Sequence, residues 1–421
     1  MNPIRAHARI LTAALVGTSV EFYDFYIYAT AAALVLGPAF FPSSDPGVQL
    51  LSSYASLGLA FVARPVGAAA FGHFGDRLGR KSTLVASLML MGASTFLIAF
   101  LPTYAQIGWW APLLLCLLRF GQGFGLGGEW GGAALLAVEN APPYWRGRFG
   151  TAPQMGAPVG FIAANGLFLV LGATLTPAQF AAWGWRLPFL LSAILVALGL
   201  WVRLRISETP AFARVLAEGS PPSVPLAEMA GAHGAAVLRG TLAVVACFAI
   251  FYIATAFALG YGTATLGHSR QAFLAVQLVA ILFMAAGILI AGWWSDRASP
   301  RQVLIWGCLG TIAAGALLAP LMAGPLMQAG MFLGIALLVM GSVYGPLGAW
   351  LPAQFPARVR YTGTSIAFNV GGVIGGALTP LAAQALSRHG LGWVGLYLAA
   401  AGLLSLAALL TGGGSATERT D

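Results

Sequence analysis

Apolar residues along this 421-residue chain are gathered into long runs, and most charged residues fall between them. Because a transmembrane helix needs about 20 mostly apolar residues, each such run predicts one membrane-spanning helix. The runs lie at about 12–36, 50–73, 82–101, 108–138, 149–172, 185–204, 238–263, 270–292, 302–322, 327–352, 361–386 and 391–411. The pattern therefore predicts an all-α membrane protein with twelve transmembrane helices.

The longest polar connection divides the twelve runs into two sets of six. It is rich in proline and glutamate, as expected of a linker. The segment GHFGDR, which starts at Gly72, matches GWWSDR, which starts at Gly292, and each follows the second helix of its set. Such an echo is typical of an internal repeat. We expect two six-helix pseudo-symmetric halves joined by a cytoplasmic linker, with boundaries at 1–204, 205–237 and 238–421.

Composition agrees with a membrane protein and argues against a nucleic-acid binder. Charged residues make up 8% of the chain, against roughly 25% in soluble domains. The net charge of +9 comes from cations that stand singly or in pairs, whereas a nucleic-acid surface needs them clustered. Sixteen of the 21 lysines and arginines fall on the side of the N-terminus. By the positive-inside rule, we expect both termini of a multi-pass membrane protein to lie in the cytoplasm.

Neither a cleavable signal nor a metal site is predicted. The first apolar run contains two acids and is longer than the apolar core of a signal, so we expect it to remain as the first helix. Cys116, Cys247 and Cys308 lie within apolar runs without metal-ligand spacing and are expected to be packing residues. We expect no cofactor.

The first helix carries two carboxylates in the stretch VEFYDFYIY. A charge near the bilayer centre costs about 2.5–3.5 kcal/mol on insertion scales, so Glu21 and Asp24 need a reason to be there. Their spacing predicts that they share one helix face with Tyr28, while Phe22 and Tyr26 point elsewhere. Each acid either pairs with a buried arginine to hold helices together or relays protons and substrate through a polar cavity.

The distribution of acids places any carboxylate proton relay in the first half. No carboxylate is predicted within the last six helices. The proton-coupling candidates are therefore Glu21, Asp24 and Glu129. Arg64 and Arg119 fall inside predicted helices, and each either neutralises an acid or binds a carboxylate substrate, which a guanidinium holds bidentately. The predicted substrate contacts are Arg64, Arg119, Tyr28, Gln122, Tyr252, Tyr344 and Asn369.

The loop GHFGDRLGRK after the second helix has a spacing that a generic charged loop would not need. Its glycines permit a tight reversal and close helix approach, and Asp76 is placed to accept hydrogen bonds from a helix N-terminus or a neighbouring arginine. The loop resembles the GxxxDRxGR(K/R) motif of the major facilitator superfamily. RFGQGFGLGGEWGGA, from Arg119, is similar to the RxxQG motif of its fourth helix, and the GGEWGGA extension resembles the metabolite:proton symporter branch.

This resemblance implies a two-lobed alternating-access transporter of a bacterial-type inner membrane, and not an enzyme. The branch includes transporters of shikimate, 2-oxoglutarate, citrate and proline or betaine, and this chain is most similar to the shikimate transporters and related inner-membrane metabolite carriers. We expect proton-coupled symport of a small polar metabolite, an organic acid of shikimate or dicarboxylate type. The alternatives are betaine-type osmolyte uptake, proton-driven efflux, a non-transporting sensor and a membrane enzyme. Expected partners are the solute, protons and lipid, and the chain is expected to be a monomer.

The resemblance also implies a cytoplasmic gate. Its expected residues are Gly72, Asp76, Arg77, Gly79, Arg80, Glu139, Arg146, Asp296, Arg297 and Arg358. The second-half loop reads SDRASPR, with Ser299 and Pro300 where the first half has a glycine and an arginine. We therefore expect gating to depend more on the Asp76 side. MGAPVGF partly resembles an antiporter motif, but Gly156 and Gly160 are better explained by helix packing.

Overall fold

The computed structural model describes residues 3–43, 46–204 and 225–411, and these form helices without any strand. The twelve long helices are α1 Ala8–Ala31, α2 Pro46–Leu78, α3 Arg80–Ile98, α4 Trp110–Val138, α5 Arg146–Thr174, α6 Leu187–Leu204, α7 Gly234–Ala264, α8 Arg270–Ser295, α9 Pro300–Met322, α10 Leu326–Trp350, α11 Arg360–Ser387 and α12 Leu391–Leu410. Each coincides with one apolar run of the sequence. The predicted all-α, twelve-helix fold is confirmed.

Short elements complete the path between the long helices. They are helices Pro3–Ala6, Gly37–Phe40, Tyr104–Ile107, Pro177–Ala182 and Pro225–Ala232 and the 3₁₀ turns Gly184–Arg186 and Pro352–Gln354. Helix α5 contains a break at Met155, where the helix Arg146–Gln154 meets Gly156–Thr174.

Part of the predicted linker lies outside the described residues. Its described end forms the helix Pro225–Ala232, and α7 begins at Gly234, before the predicted start at 238. Ala235 and Ala236 are strong helix formers, which favours this earlier start. Glu228 in the linker helix pairs with Arg358 at 3.0 Å, which ties this segment to the residues before α11.

Glycines bring the helices of the first half into close contact. A Cβ on Gly160 of α5 would lie 2.7 Å from the backbone nitrogen of Tyr23 in α1, and one on Gly156 would overlap Thr18. The packing explanation of these two glycines is therefore confirmed. In the same way, Gly123 of α4 lies against the backbone of α2. Small residues at these contacts let helix axes approach closely, as is common in membranes.

Within the described ranges, three π-helical turns interrupt or follow the long helices. The turns lie at Ala32–Leu36 after α1, at Ile253–Phe257 in α7 and at Val373–Ala377 in α11. A π turn leaves backbone carbonyls in need of partners, and Gln277 of α8 donates to the carbonyl oxygens of Ala254 and Thr255 at 3.1 and 2.8 Å. Gln277 thus satisfies backbone carbonyl oxygens in the π-helical turn of α7.

Candidate functional site

A small cavity lies where the two halves meet. Its volume is about 30 Å³, room for about one or two water molecules. The first half lines it with Glu21, Phe22, Phe25, Tyr26, Arg64, Leu126 and Ala157, and the second half with Cys247, Phe248, Phe251, Tyr252, Met340, Tyr344 and Phe368. A metabolite does not fit in this volume, so binding one here requires the lining side chains to move apart.

An ion pair forms the charged part of the cavity wall. Arg64 Nη2 of α2 lies 3.6 Å from Glu21 Oε1 of α1, and both side chains are buried. Within the described chain, neither oxygen of Glu21 has a hydrogen-bond partner. The guanidinium also lies near two rings, 5.9 Å from the centre of Phe25 and 5.6 Å from that of Phe61. The carboxylate is therefore held by one long contact, and a proton or a ligand can replace that contact.

The predicted common face of Glu21, Asp24 and Tyr28 is wrong. Glu21 lines the cavity together with Phe22 and Tyr26, whereas Asp24 and Tyr28 lie inside the first half. Three residues turn an α-helix by about 300°, so side chains three apart point about 60° from each other. That angle is enough to place the two acids on opposite sides of the boundary between the cavity and the helix bundle.

Asp24 belongs to a polar cluster among α1, α3, α4 and α6. Ser192 donates a hydrogen bond to Asp24 Oδ1 at 2.5 Å. Gln122 Nε2 donates to the backbone oxygen of Asp24 at 3.2 Å and to Thr95 Oγ1 at 2.8 Å. Asp24 Oδ2 finds no hydrogen-bond partner in the described ranges. One oxygen of this fully buried carboxylate is thus available to a proton.

Arg119 is a buried cation beside the Asp24 cluster. Its guanidinium carbon lies 3.6 Å from the centre of the Tyr28 ring, and it donates a hydrogen bond to Gln122. Tyr28 in turn shares a hydrogen bond of 2.5 Å with Ser56. No described carboxylate lies within 4.0 Å of Arg119. The structure therefore brings together three predicted substrate contacts, but none of them lines the cavity.

Glu129 has a complete set of partners. Both of its oxygens contact the guanidinium of Arg203 from α6, and Ser87 of α3 donates to Oε2 at 2.9 Å. Arg203 also donates to the carbonyl oxygen of Leu84 at 2.8 Å. The sequence did not indicate this pair, since Arg203 was not among the predicted site residues. Its position inside the sixth apolar run was the signal that could have revealed it.

The predicted second-half contacts divide between the cavity and the interface. Tyr252 and Tyr344 line the cavity. Asn369 does not, because its amide donates to the carbonyl oxygens of Gly127 in α4 at 2.9 Å and of Ser365 at 2.8 Å. Asn369 therefore joins the two halves.

Asp76 joins α2 to α11 at the end of the molecule that is predicted to face the cytoplasm. Its carboxylate accepts hydrogen bonds from the backbone nitrogens of Tyr361 and Thr362 at 3.2 and 2.8 Å and pairs with Arg80 at 3.0 Å. These amides belong to the N-terminus of α11, where the helix dipole favours an anion. Both contacts expected of Asp76, with a helix N-terminus and with a nearby arginine, are confirmed. A Cβ on Gly72 would lie 2.6 Å from the Cα of Thr362, so α2 and α11 are in close contact here.

Asp296 makes the corresponding contact from the second half. It accepts hydrogen bonds from the backbone nitrogens of Gly147 and Arg148 at 2.6 and 3.3 Å, and Arg148 Nε adds a third at 2.6 Å. Each half thus caps a helix of the other. Ser299 and Pro300 led us to expect weaker contacts on this side. The backbone contacts of Asp296 nevertheless match those of Asp76, and Ser299 caps the N-terminus of α9.

The Asp76 and Asp296 sites differ in the charged residues around them, and Asp76 has the larger set. Glu139 lies 3.7 Å from Arg80 and 3.3 Å from Arg360, and Arg80 also donates to the carbonyl oxygen of Ala357 at 3.0 Å. The sequence did not indicate Arg148 or Arg360 as gate residues.

The other predicted gate residues lie nearer the surface. Arg358 pairs with Glu228 in the linker helix, Arg77 lies 3.4 Å from His73, and Arg297 lies over Trp293. Arg146 is the first residue of α5. Gly79 joins α2 to α3 with a φ of 113°, a conformation that favours glycine.

Comparison with known proteins gives agreeing results. The sequence model of the family described as sugar (and other) transporter matches residues 10–219 and 232–411. The inner membrane metabolite transport protein YhjE of Escherichia coli K12 is 47% identical over 97% of this chain and 95% of that protein. The shikimate transporter of the same strain is 38% identical over 92% and 90%. In fold, the proton:xylose symporter XylE bound to 6-bromo-6-deoxy-D-glucose matches with a TM-score of 0.75 at 16% identity, over 96% of this chain and 94% of that one.

Proposed function

Because this chain belongs to the sugar (and other) transporter family of the major facilitator superfamily, we propose that it carries a small organic acid across the inner membrane together with protons. The protein is a multi-pass membrane transporter and not an enzyme.

The observation that supports proton coupling is the Glu21–Arg64 pair in the cavity wall. When Glu21 is ionised, it neutralises Arg64 and the cavity has no free charge for an anion. When Glu21 binds a proton, its hold on Arg64 is lost and the guanidinium is free for a carboxylate. Proton and anion then favour each other's binding, and by linkage the coupling is equal in both directions. This is the thermodynamic requirement for symport.

Asp24 and Glu129 have different proposed roles. Asp24 is a second proton carrier, since its Oδ2 has no partner among the described residues and Arg119 lies in the same polar cluster. Glu129 is the weakest candidate, because Arg203 and Ser87 already engage its carboxylate. Both termini are proposed to face the cytoplasm, so that release of substrate requires the Asp76 and Asp296 contacts to break.

The test is uptake into proteoliposomes after a pH jump. Candidate acids are found by thermal shift of the purified protein against shikimate, dicarboxylates and tricarboxylates. Wild-type protein should accumulate the bound acid against its gradient when the outside is acidified, and uptake should fall as the outside pH rises. Glu21→Gln should abolish this accumulation but retain counterflow exchange, and Asp24→Asn should do the same if Asp24 carries a proton.

Glu228→Gln is the matched control, because it removes a carboxylate that is paired far from the cavity wall in the linker helix. It should transport like the wild type. Uphill uptake by Glu21→Gln at the wild-type level would contradict the proposed coupling. Accumulation only in inverted vesicles would instead identify proton-driven efflux.

A further inference from the structure

One aromatic stack joins the two halves beside the cavity. Trp130 of α4 lies against Phe368 of α11, with the ring centres 3.6 Å apart and the ring planes within 6° of parallel. Phe368 lines the cavity and Trp130 does not, so the indole lies behind that ring. The two side chains are at most 2% exposed, so each ring buries a broad apolar face on the other.

The stack lies between the cavity and the contact that Asp76 makes with α11. Trp130 stands eight residues before the last residue of α4, and Phe368 stands eight residues after the first residue of α11. At 1.5 Å per residue, both rings lie about 12 Å inside these helix ends. Asp76 bonds to the first turn of α11. The two rings are therefore nearer to the cavity than the Asp76 contact is.

Gln154 of α5 holds the indole and spans the two halves. Trp130 Nε1 donates a hydrogen bond to Gln154 Oε1 at 2.7 Å, and Gln154 Nε2 donates to the backbone oxygen of Tyr344 in α10 at 2.7 Å. Tyr344 itself lines the cavity. Gln154 is fully buried, and a buried polar group that loses its partner is costly. The amide therefore fixes the indole relative to a helix of the other half.

Gln154 also lies at the break in α5. The helix Arg146–Gln154 ends there, and Gly156–Thr174 continues α5. Pro158 has no N–H to offer to the carbonyl oxygen of Gln154, four residues earlier, which weakens the helix at this point. Sharp bends in helices occur at such places. The break is therefore a bending point, and Gln154 lies on the side of it that begins at Arg146.

We propose that Trp130 and Phe368 form an inner gate of the cavity and that Gln154 is its positioning residue. This inference rests on the proposed transport function, because a gate has a role only if a solute crosses. While Gln154 makes both hydrogen bonds, the rings stay stacked and the cavity is shut toward the Asp76 end. Bending of α5 at its break draws the amide away from Tyr344, the rings part, and the solute leaves toward the cytoplasm.

The test uses the thiol of Cys247, which lines the cavity, as a reporter of access. Cys116 and Cys308 are replaced by alanine, and alkylation of this single-cysteine protein by a membrane-impermeant maleimide is timed in inverted and in right-side-out membrane vesicles. Gln154→Leu removes both hydrogen bonds. Alkylation in inverted vesicles, where the reagent meets the cytoplasmic side, should then quicken by about two- to tenfold for each bond lost. Alkylation in right-side-out vesicles should not quicken. Trp130→Phe keeps a ring on the stack but loses one bond, and should show the smaller increase.

Gln277→Leu is the matched control. It also removes a buried amide that donates to backbone oxygens, at 3.1 and 2.8 Å, but both of those oxygens belong to the same half as Gln277. Its alkylation rate in inverted vesicles should equal that of the single-cysteine protein.

Two results would overturn the proposal. One is an unchanged alkylation rate in Gln154→Leu, and the other is an equal rise from both sides, which a loosened fold would produce. If Gln154→Leu does not reach the membrane, Trp130→Phe decides by the same two criteria. Alkylation needs neither a solute nor a pH gradient, so a failure of acid uptake would count against the proposed function and not against the gate.

Discussion

Replacing Arg203 by methionine separates a structural ion pair from a coupling site. The guanidinium donates to Glu129 Oε2 at 3.0 Å and to the carbonyl oxygen of Leu84 at 2.8 Å, and it also contacts Oε1. Both partners of the pair are buried. Its removal leaves the carboxylate with Ser87 alone. Breaking a buried pair by removing one partner costs about 3–5 kcal/mol, so Arg203→Met should be strongly destabilised.

The double variant Glu129→Met with Arg203→Met should recover most of that loss. A buried ion pair replaced by apolar residues of similar size is often neutral in stability, because no charge is left unpaired. Ser87 keeps the carbonyl oxygen of Leu84 as an acceptor. Thermal unfolding of the purified protein in detergent should rank the single variant lowest, with the double variant near the wild type. If the two substitutions destabilise additively, the pair is not energetically coupled and the reasoning fails.

Two further predictions concern the contact between α2 and α11. Asp76→Asn should weaken the contact by about 1.5–3 kcal/mol, because it removes a charge from hydrogen-bonded groups, and should speed hydrogen–deuterium exchange at the start of α11. The exposed control Arg77→Gln should not, and unchanged exchange in Asp76→Asn would refute the role of the cap. Gly72→Ala should slow uptake, since its Cβ would lie 2.6 Å from the Cα of Thr362 and forcing it in costs about 1–3 kcal/mol. Gly166→Ala, where a Cβ meets nothing within 4 Å, should transport normally, and equal rates in the two variants would contradict the close contact.

The helix count was predictable because the bilayer acts on length and composition alone. Each apolar run had to become a helix, since a lipid-exposed backbone has no other way to satisfy its hydrogen bonds. The role of Asp76 was predictable for a similar reason. An acid at the end of one helix, within a repeated loop, has few partners other than a helix N-terminus or a nearby arginine.

The side chains inside the membrane were harder to assign. Glu21 and Asp24 are three residues apart, and their spacing fixes the angle between them but not which neighbouring helix each one meets. The pairing of Glu129 with Arg203 depends on how α4 and α6 pack, which no local pattern contains. Arg119 was recognised as a buried cation, but its contact with the ring of Tyr28 depends on tertiary packing.

The most direct test of proton coupling is proton uptake on substrate binding. Purified protein in weakly buffered detergent solution is titrated with the acid that it transports, and the pH is recorded. If Glu21 must be protonated to free Arg64, binding should draw protons from solution in the wild type. Glu21→Gln should bind the same acid with much smaller proton uptake. Equal proton uptake by the two proteins would contradict the assignment of Glu21 as the coupling residue.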